Sequence, residues 1–137
     1  MATVRKKIII IEDDPNFRIC IKDALNSTDD FQLVAETEPG LKAIEVFKRV
    51  EADLIILDLN LPAFKGYELL REAKKTNAKV LVLSIYDKED VVKTAFELGA
   101  DGYCVRELPN LLIRAIYEAL EDKHPVFVHG SNTINQP

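Results

Sequence analysis

Two short runs of branched aliphatic residues, each stopping abruptly at acid, constrain the fold more than any other feature of the chain. Ile8-Ile9-Ile10-Ile11 runs into Glu12-Asp13-Asp14, and Leu54-Ile55-Ile56-Leu57 runs into Asp58. A run that is apolar at every position, rather than at alternate ones, reads as a strand covered on both faces. That is the environment of a parallel sheet. Open sheets of this kind place their ligand sites beyond the carboxyl ends of the strands. Acid gathered there repels itself unless a cation answers it.

The rest of the chain alternates in the same way. Pro15 suits the first position of a helix with Asp14 as its N-cap, and Phe17, Cys20, Ile21, Ala24 and Leu25 recur on one stripe. Phe31 to Thr37 is a second strand, less uniformly apolar and so nearer an edge. Pro39-Gly40 opens a second helix with Ala43, Ile44, Phe47 and Val50 inward. Asp58 to Lys65 is a loop closed by Gly66, and the third helix after it buries Leu69, Leu70 and Ala73. Val80 to Leu83 is a fourth strand ending at Ser84. Asp87 caps a fourth helix with Val91, Val92, Ala95 and Leu98 inward, and Gly99 stops it. Gly102 to Val105 is a fifth strand, and Pro109 begins a last helix that buries Leu112, Ala115, Ile116, Ala119 and Leu120.

Strands and helices in strict alternation over short connections give an α/β fold. The expected architecture is a (βα)5 flavodoxin-like doubly wound parallel sheet in the strand order 2-1-3-4-5. The 137 residues suffice for one domain, expected over 1–122. Residues 123–137 read as a tail or the start of an interdomain linker, with a frayed end from Asn132 to Pro137.

Composition excludes several functions. The net charge of -5 comes without a visible basic patch, so no nucleic acid is expected to bind this chain alone. No apolar run approaches the ~20 residues that cross a bilayer, and the basic segment Met1 to Lys7 precedes a run too short for a signal peptide. No membrane contact is expected, and the cytoplasm is the expected compartment. Cys20 and Cys104 sit in apolar patterns and read as small core residues rather than a disulfide or metal pair. His124 and His129, five residues apart on an extended segment, read as linker residues.

The expected strand order sets the ends of the first and third strands side by side, so Glu12, Asp13, Asp14 and Asp58 share one pocket. At ~4 Å a like-charge pair costs about 1 kcal/mol in water and about 4 kcal/mol at an effective dielectric of 20. A hard divalent cation relieves this, and Mg2+ suits carboxylates, carbonyls and phosphate. Proton sharing, which raises one carboxyl's pKa, is the other relief. A carboxylate beside Mg2+ is also a nucleophile toward a phosphoryl group, forming an aspartyl phosphate. Ser84 and Arg106, at the ends of the fourth and fifth strands, offer that product a hydroxyl and a cation.

Three stretches match a known family in order and spacing. They are Ile10-Ile11-Glu12-Asp13-Asp14-Pro15, Asp53 through Pro62 with Gly66, and Gly99-Ala100-Asp101-Gly102-Tyr103. From Ile8 to about Leu120 the chain resembles the receiver domain of a bacterial two-component response regulator, nearest to the LuxR/FixJ-type subfamily with a DNA-binding domain downstream. The resemblance implies that Asp58 is the phosphoacceptor, taking its group from a sensor histidine kinase or phosphotransfer protein. It implies Mg2+ ligands in Asp13, Asp58 and the backbone carbonyl of Asn60, with Glu12 in the acidic pair. Ser84 matches the hydroxyl that moves toward the phosphoryl group, and Tyr103 the switch aromatic that turns inward when it does. Such a protein catalyses only its own phosphorylation and is not an enzyme in the ordinary sense. Asp14 is a helix cap first and a ligand second.

Two positions depart from the family. Arg106 stands where the family has lysine, and a planar fork does not substitute for a compact point charge. Either Arg106 binds bidentately and phosphorylation persists with altered rate or switching, or Arg106 pairs with Asp58 or Glu12 and holds the pocket shut. An Arg106 to Asp58 salt bridge makes a pseudo-receiver, fixed in one state as a constitutive interaction module. Ile85 stands where a smaller residue is common, and its bulk is expected to hinder water and lengthen the phosphoryl lifetime. A phosphohydrolase with an aspartyl nucleophile is the enzyme alternative, but it lacks a second aspartate two residues after Asp58, where Asn60 stands. A flavodoxin-type electron carrier would need a hydroxyl- and glycine-rich loop after the first strand, where acid stands instead. Ile113, Tyr117 and Leu120 widen the apolar arc of the last helix, a candidate contact for a homodimer.

Overall fold

Every residue of Ile8–Ile11 and Leu54–Leu57 is at most 1% exposed in the computed structural model. It describes residues 4–59, 64–106, 109–121, 126–129 and 132–135, with side chains over 4–59, 66–106 and 111–121. The runs lie in strands β1 (Lys6–Ile11) and β3 (Leu54–Asp58), which pair in parallel with Ile8 opposite Leu54 and Ile11 opposite Leu57. Because side chains alternate across a strand, each run serves two cores. Ile9, Ile11, Ile55 and Leu57 pack on one face of the sheet, Ile8, Ile10, Leu54 and Ile56 on the other. Removing such a buried side chain down to alanine costs ~2–5 kcal/mol.

Strands β2 (Phe31–Thr37), β4 (Lys79–Ser84) and β5 (Gly102–Val105) complete the expected order, β2-β1-β3-β4-β5, with β2 at the edge. Helices α1 (Pro15–Asn26) and α5 (Pro109–Leu120) cover one face through Ile21, Ala24, Leu25, Leu112, Ala115, Ile116 and Ala119. Helices α2 (Leu41–Arg49), α3 (Phe64–Ala73) and α4 (Glu89–Glu97) cover the other through Ala43, Phe47, Leu69, Leu70, Ala73, Val92 and Ala95. The fold is the expected flavodoxin-like sheet. No described helix is long and apolar enough to cross a membrane.

Several local expectations need correction. The sheet does not stop at β5. Strand β6 (Val126–His129) pairs parallel with β5, and β7 (Asn132–Asn135) pairs antiparallel with β6, so residues 132–135 are not a frayed end. The outer backbone groups of β5 find partners there, as strand N–H and C=O groups must. Cys20 is exposed, at the solvent side of the α1 stripe, whereas Cys104 is buried as expected. Helix α3 begins at Phe64, before Gly66 rather than after it. Helix α4 is capped at Lys88, with no side-chain hydrogen bond, and not by Asp87; Glu89 and Asp90 in its first turn suit the helix dipole instead. Asp14 does cap α1, accepting the Asn16 N–H at 2.9 Å. The arc on α5 is partly spent inside the chain. The Tyr117 ring lies 5.2 Å from that of Phe31, and its hydroxyl donates to Asp30.

Candidate functional site at the carboxyl rim

Ladder hydrogen bonds carry the strand ends into register and so position the site. Asp58 closes β3 opposite Leu83, and Ser84 closes β4 opposite Val105. The Leu59 N–H then donates to the Leu83 carbonyl at 3.0 Å and the Arg106 N–H to the Ser84 carbonyl at 2.8 Å. Glu12, directly after β1, donates its N–H to the Thr37 carbonyl at 3.0 Å. Arg18 of α1 fixes the same residue from the other side, with Nε and Nη2 donating to the Glu12 carbonyl at 3.2 and 2.6 Å.

Glu12, Asp13 and Asp58 meet there. One carboxylate oxygen from each lies within 4.8 Å of the other two. Glu12 is fully buried, Asp58 is 6% exposed, and Asp13 faces solvent. Burial pushes the Glu12 carboxyl up to about 8, aided by its hydrogen bond with Asp58 and by the charge of Asp58; the Asp14 N–H and Arg106 pull the other way. Burial also raises Asp58, while the Glu12 hydrogen bond and Arg106 lower it. The crowded carboxyls are thus pushed toward the protonated form, and a cationic side chain pulls the other way.

The cation is Arg106. Its Nη2 donates to Glu12 Oε1 and lies 3.9 Å from Asp58 Oδ2. Its guanidinium carbon sits 3.9 Å from the centre of the Phe17 ring, and its buried Nε has no hydrogen-bond partner among the described residues. Ser84 is fully buried, and its Oγ accepts the Tyr86 N–H at 3.0 Å. Tyr103 lies inward and fully buried, its hydroxyl donating to the Tyr86 carbonyl at 2.7 Å. Burial first of all pushes that phenol up to about 12. Ile85 is 63% exposed. Asn60 lies outside the described residues.

The rim thus brings Glu12, Asp13, Asp58 and Arg106 into one cluster, with Ser84 and Tyr103 joined beside it through Tyr86. Tyr86 leaves no mark in the residue pattern as a bridge between them, because its backbone groups, not its side chain, make both bonds. Phe17 was visible only as one residue of a helical stripe. A cavity of about 630 Å³ lies elsewhere, at the amino rim among Phe47, Ala52, Asp53 and Ala78, and includes none of the cluster residues.

Hard oxygen donors in this arrangement fit Mg2+. Three carboxylates converge, and the Arg106 guanidinium faces the two buried ones. A buried nucleophilic carboxylate, a cation within 4 Å and a nearby hydroxyl are together equipped to capture and hold a phosphoryl group.

Residues 8–117 match the family described as the response regulator receiver domain. The nitrate/nitrite response regulator protein NarL of Escherichia coli (strain K12) is 34% identical over 115 residues, which are 82% of this chain and 53% of that protein. The transcriptional regulatory protein DegU of Brevibacillus brevis is 36% identical over 130 residues, 90% of this chain and 55% of that protein. The chain therefore spans about half the length of the curated relatives it matches. Among solved structures, a LuxR-family two-component response regulator from Aurantimonas sp. SI85-9A1 shares the fold with a TM-score of 0.79, at 24% identity over 89% of each chain.

Proposed function

The chain belongs to the response regulator receiver family, and from that premise we propose that Asp58 is its phosphoacceptor and the rim its switch. The convergence of Glu12, Asp13 and Asp58 within 4.8 Å carries this reading. An Asp58 carboxylate oxygen attacks the phosphorus of a phosphohistidine on a sensor histidine kinase or phosphotransfer protein. The P–N bond breaks, its electron pair returns to the imidazole, and an aspartyl phosphate remains. Glu12, Asp13, Asp58 and the Asn60 backbone carbonyl would hold Mg2+, which when bound neutralises charge on the phosphoryl oxygens. Arg106 and the Ser84 hydroxyl supply donors to the same oxygens. Movement of Ser84 is felt by Tyr103 through the hydrogen bond between their side chains and through Tyr86, whose backbone bonds both, leading from the rim toward the β5 side of the sheet. In a longer protein the module would govern an output domain, as the relatives' descriptions as regulators suggest.

One contact favours a second reading. Arg106 already joins Glu12 and approaches Asp58, and the Tyr103 ring is already inward, as in a pseudo-receiver held in one state. Incubation with Mg2+ and a small acyl phosphate separates the two. A phosphoryl mass gain that Asp58→Asn abolishes supports the phosphoacceptor. A wild type that takes no label, and shows no spectral response to beryllofluoride, supports the locked form.

A further inference from the structure

A guanidinium offers five N–H donors in a fixed plane, and a buried donor without a partner is rare in a folded protein. Arg106 has one. Its Nη2 is engaged by Glu12, but its Nε is buried and without a hydrogen-bond partner among the described residues. The group has not collapsed wholly onto the acids, and the Phe17 ring supplies the reason. Phe17 lies in the first turn of α1, just beyond the acidic turn, and its face meets the guanidinium carbon at 3.9 Å. Stacking on an aromatic face fixes the plane of an arginine, and therefore the direction of its donors. A lysine would gain no such orientation from the ring. The aromatic residue and the departure from lysine thus form one unit.

We propose that Phe17 is a positioning residue, holding Arg106 so that its free Nε–H and an Nη–H donate side by side to two oxygens of a phosphoryl group on Asp58. This rests on the reading of Asp58 as the phosphoacceptor. When the group arrives, Nη leaves Glu12 for the phosphoryl oxygens and Nε gains its partner. Two parallel donors replace the single contact that a lysine makes.

The test measures beryllofluoride affinity with saturating Mg2+, together with the 19F spectrum of the bound ligand. It compares wild type, Phe17→Leu, Phe17→Tyr, Arg106→Lys and the Phe17→Leu/Arg106→Lys double variant. Phe17→Leu is expected to weaken binding roughly 3- to 30-fold, the range of one cation–π contact, and to move a bound fluorine resonance. Phe17→Tyr, which keeps the aromatic face, restores both. In the Arg106→Lys background Phe17→Leu changes nothing. Equal weakening in both backgrounds would overturn the proposal by showing a merely structural ring, as would unchanged binding in Phe17→Leu. Those two results leave Asp58 as phosphoacceptor. No bound fluoride in the wild type overturns both readings at once. Thermal midpoints of all variants identify any that fail to fold, and Phe17→Tyr then decides, since its loss of binding despite a folded chain also counts against the ring.

Discussion

Acid stands at both rims of the sheet, and its surroundings differ. At the amino rim Asp53 accepts the Lys7 N–H at 2.7 Å, and Asp101 accepts the Val80 N–H and the Lys74 ammonium, each at 2.8 Å. Both aspartates tie the start of one strand to its neighbour. At the carboxyl rim Glu12 takes one backbone N–H, from Asp14 at 3.2 Å, and otherwise faces Asp58 and Arg106. Its carboxyl is raised by burial, as is that of Asp58. Where the backbone satisfies a carboxylate, the residue is a fastener. Where burial leaves carboxylates to each other and to one arginine, the fold holds a charge arrangement that a ligand can improve. Asp53, Asp58 and Asp101 all fall in the stretches that match the family, so a motif mixes fasteners and site residues without distinguishing them.

Substitutions at the two rims should separate these roles. The largest expected effect is all-or-none: Asp58→Asn loses the phosphoryl mass gain entirely, while Asp101→Asn and Asp53→Asn keep it. Labelling lost in all three would erase the distinction. Next is the metal. Mg2+ at a hundred times its dissociation constant should stabilise the wild type by ~2.7 kcal/mol, read as a rise in thermal midpoint, and stabilise an Asp13→Asn/Asp58→Asn variant far less. At the amino rim the effect is on stability instead. Asp101→Ala leaves the Val80 N–H unpaired and should cost ~1–3 kcal/mol by urea denaturation, with Mg2+ stabilisation intact; Asp53→Ala, at a more exposed bond, should cost about 1 kcal/mol.

The alkaline limit of stability concerns Tyr103. Its folded-state phenol is raised to about 12 from 10.0, so the neutral form is the one that folding favours. That contribution is complete below pH 10, and it fades as pH climbs toward 12, where the unfolded chain gains by ionising first. An absorbance titration of the phenols should show a late component that Tyr103→Phe removes. A Tyr103 that ionises early would mean a ring turned out to solvent.

Much of this was legible in the residues. Period and run length alone marked β1 and β3 as strands buried on both faces, and Asp14-Pro15 marked the start of α1, because those signals are local. The β6–β7 hairpin also left a trace, since Gly130-Ser131 separates two runs holding β-branched and aromatic residues, a recognised hairpin spacing. The strict strand–helix alternation before it made the tail read as linker. Cys20 and the start of α3 differ from the pattern by small margins, since the edge of an apolar stripe and the end of a loop are settled by what packs against them.

The amino-acid order by itself determined the alternating architecture, the strand ends at which acid would stand, and the family to which they belong. Only the tertiary structure decided that Arg106 would face Glu12 and Asp58, with Phe17 beneath it and Nε left over. Arg106 and Glu12 are 94 residues apart, and no periodicity spans that distance. Their meeting follows from parallel pairing, which gathers the ends of β1, β3, β4 and β5 at one rim and makes distant charges neighbours.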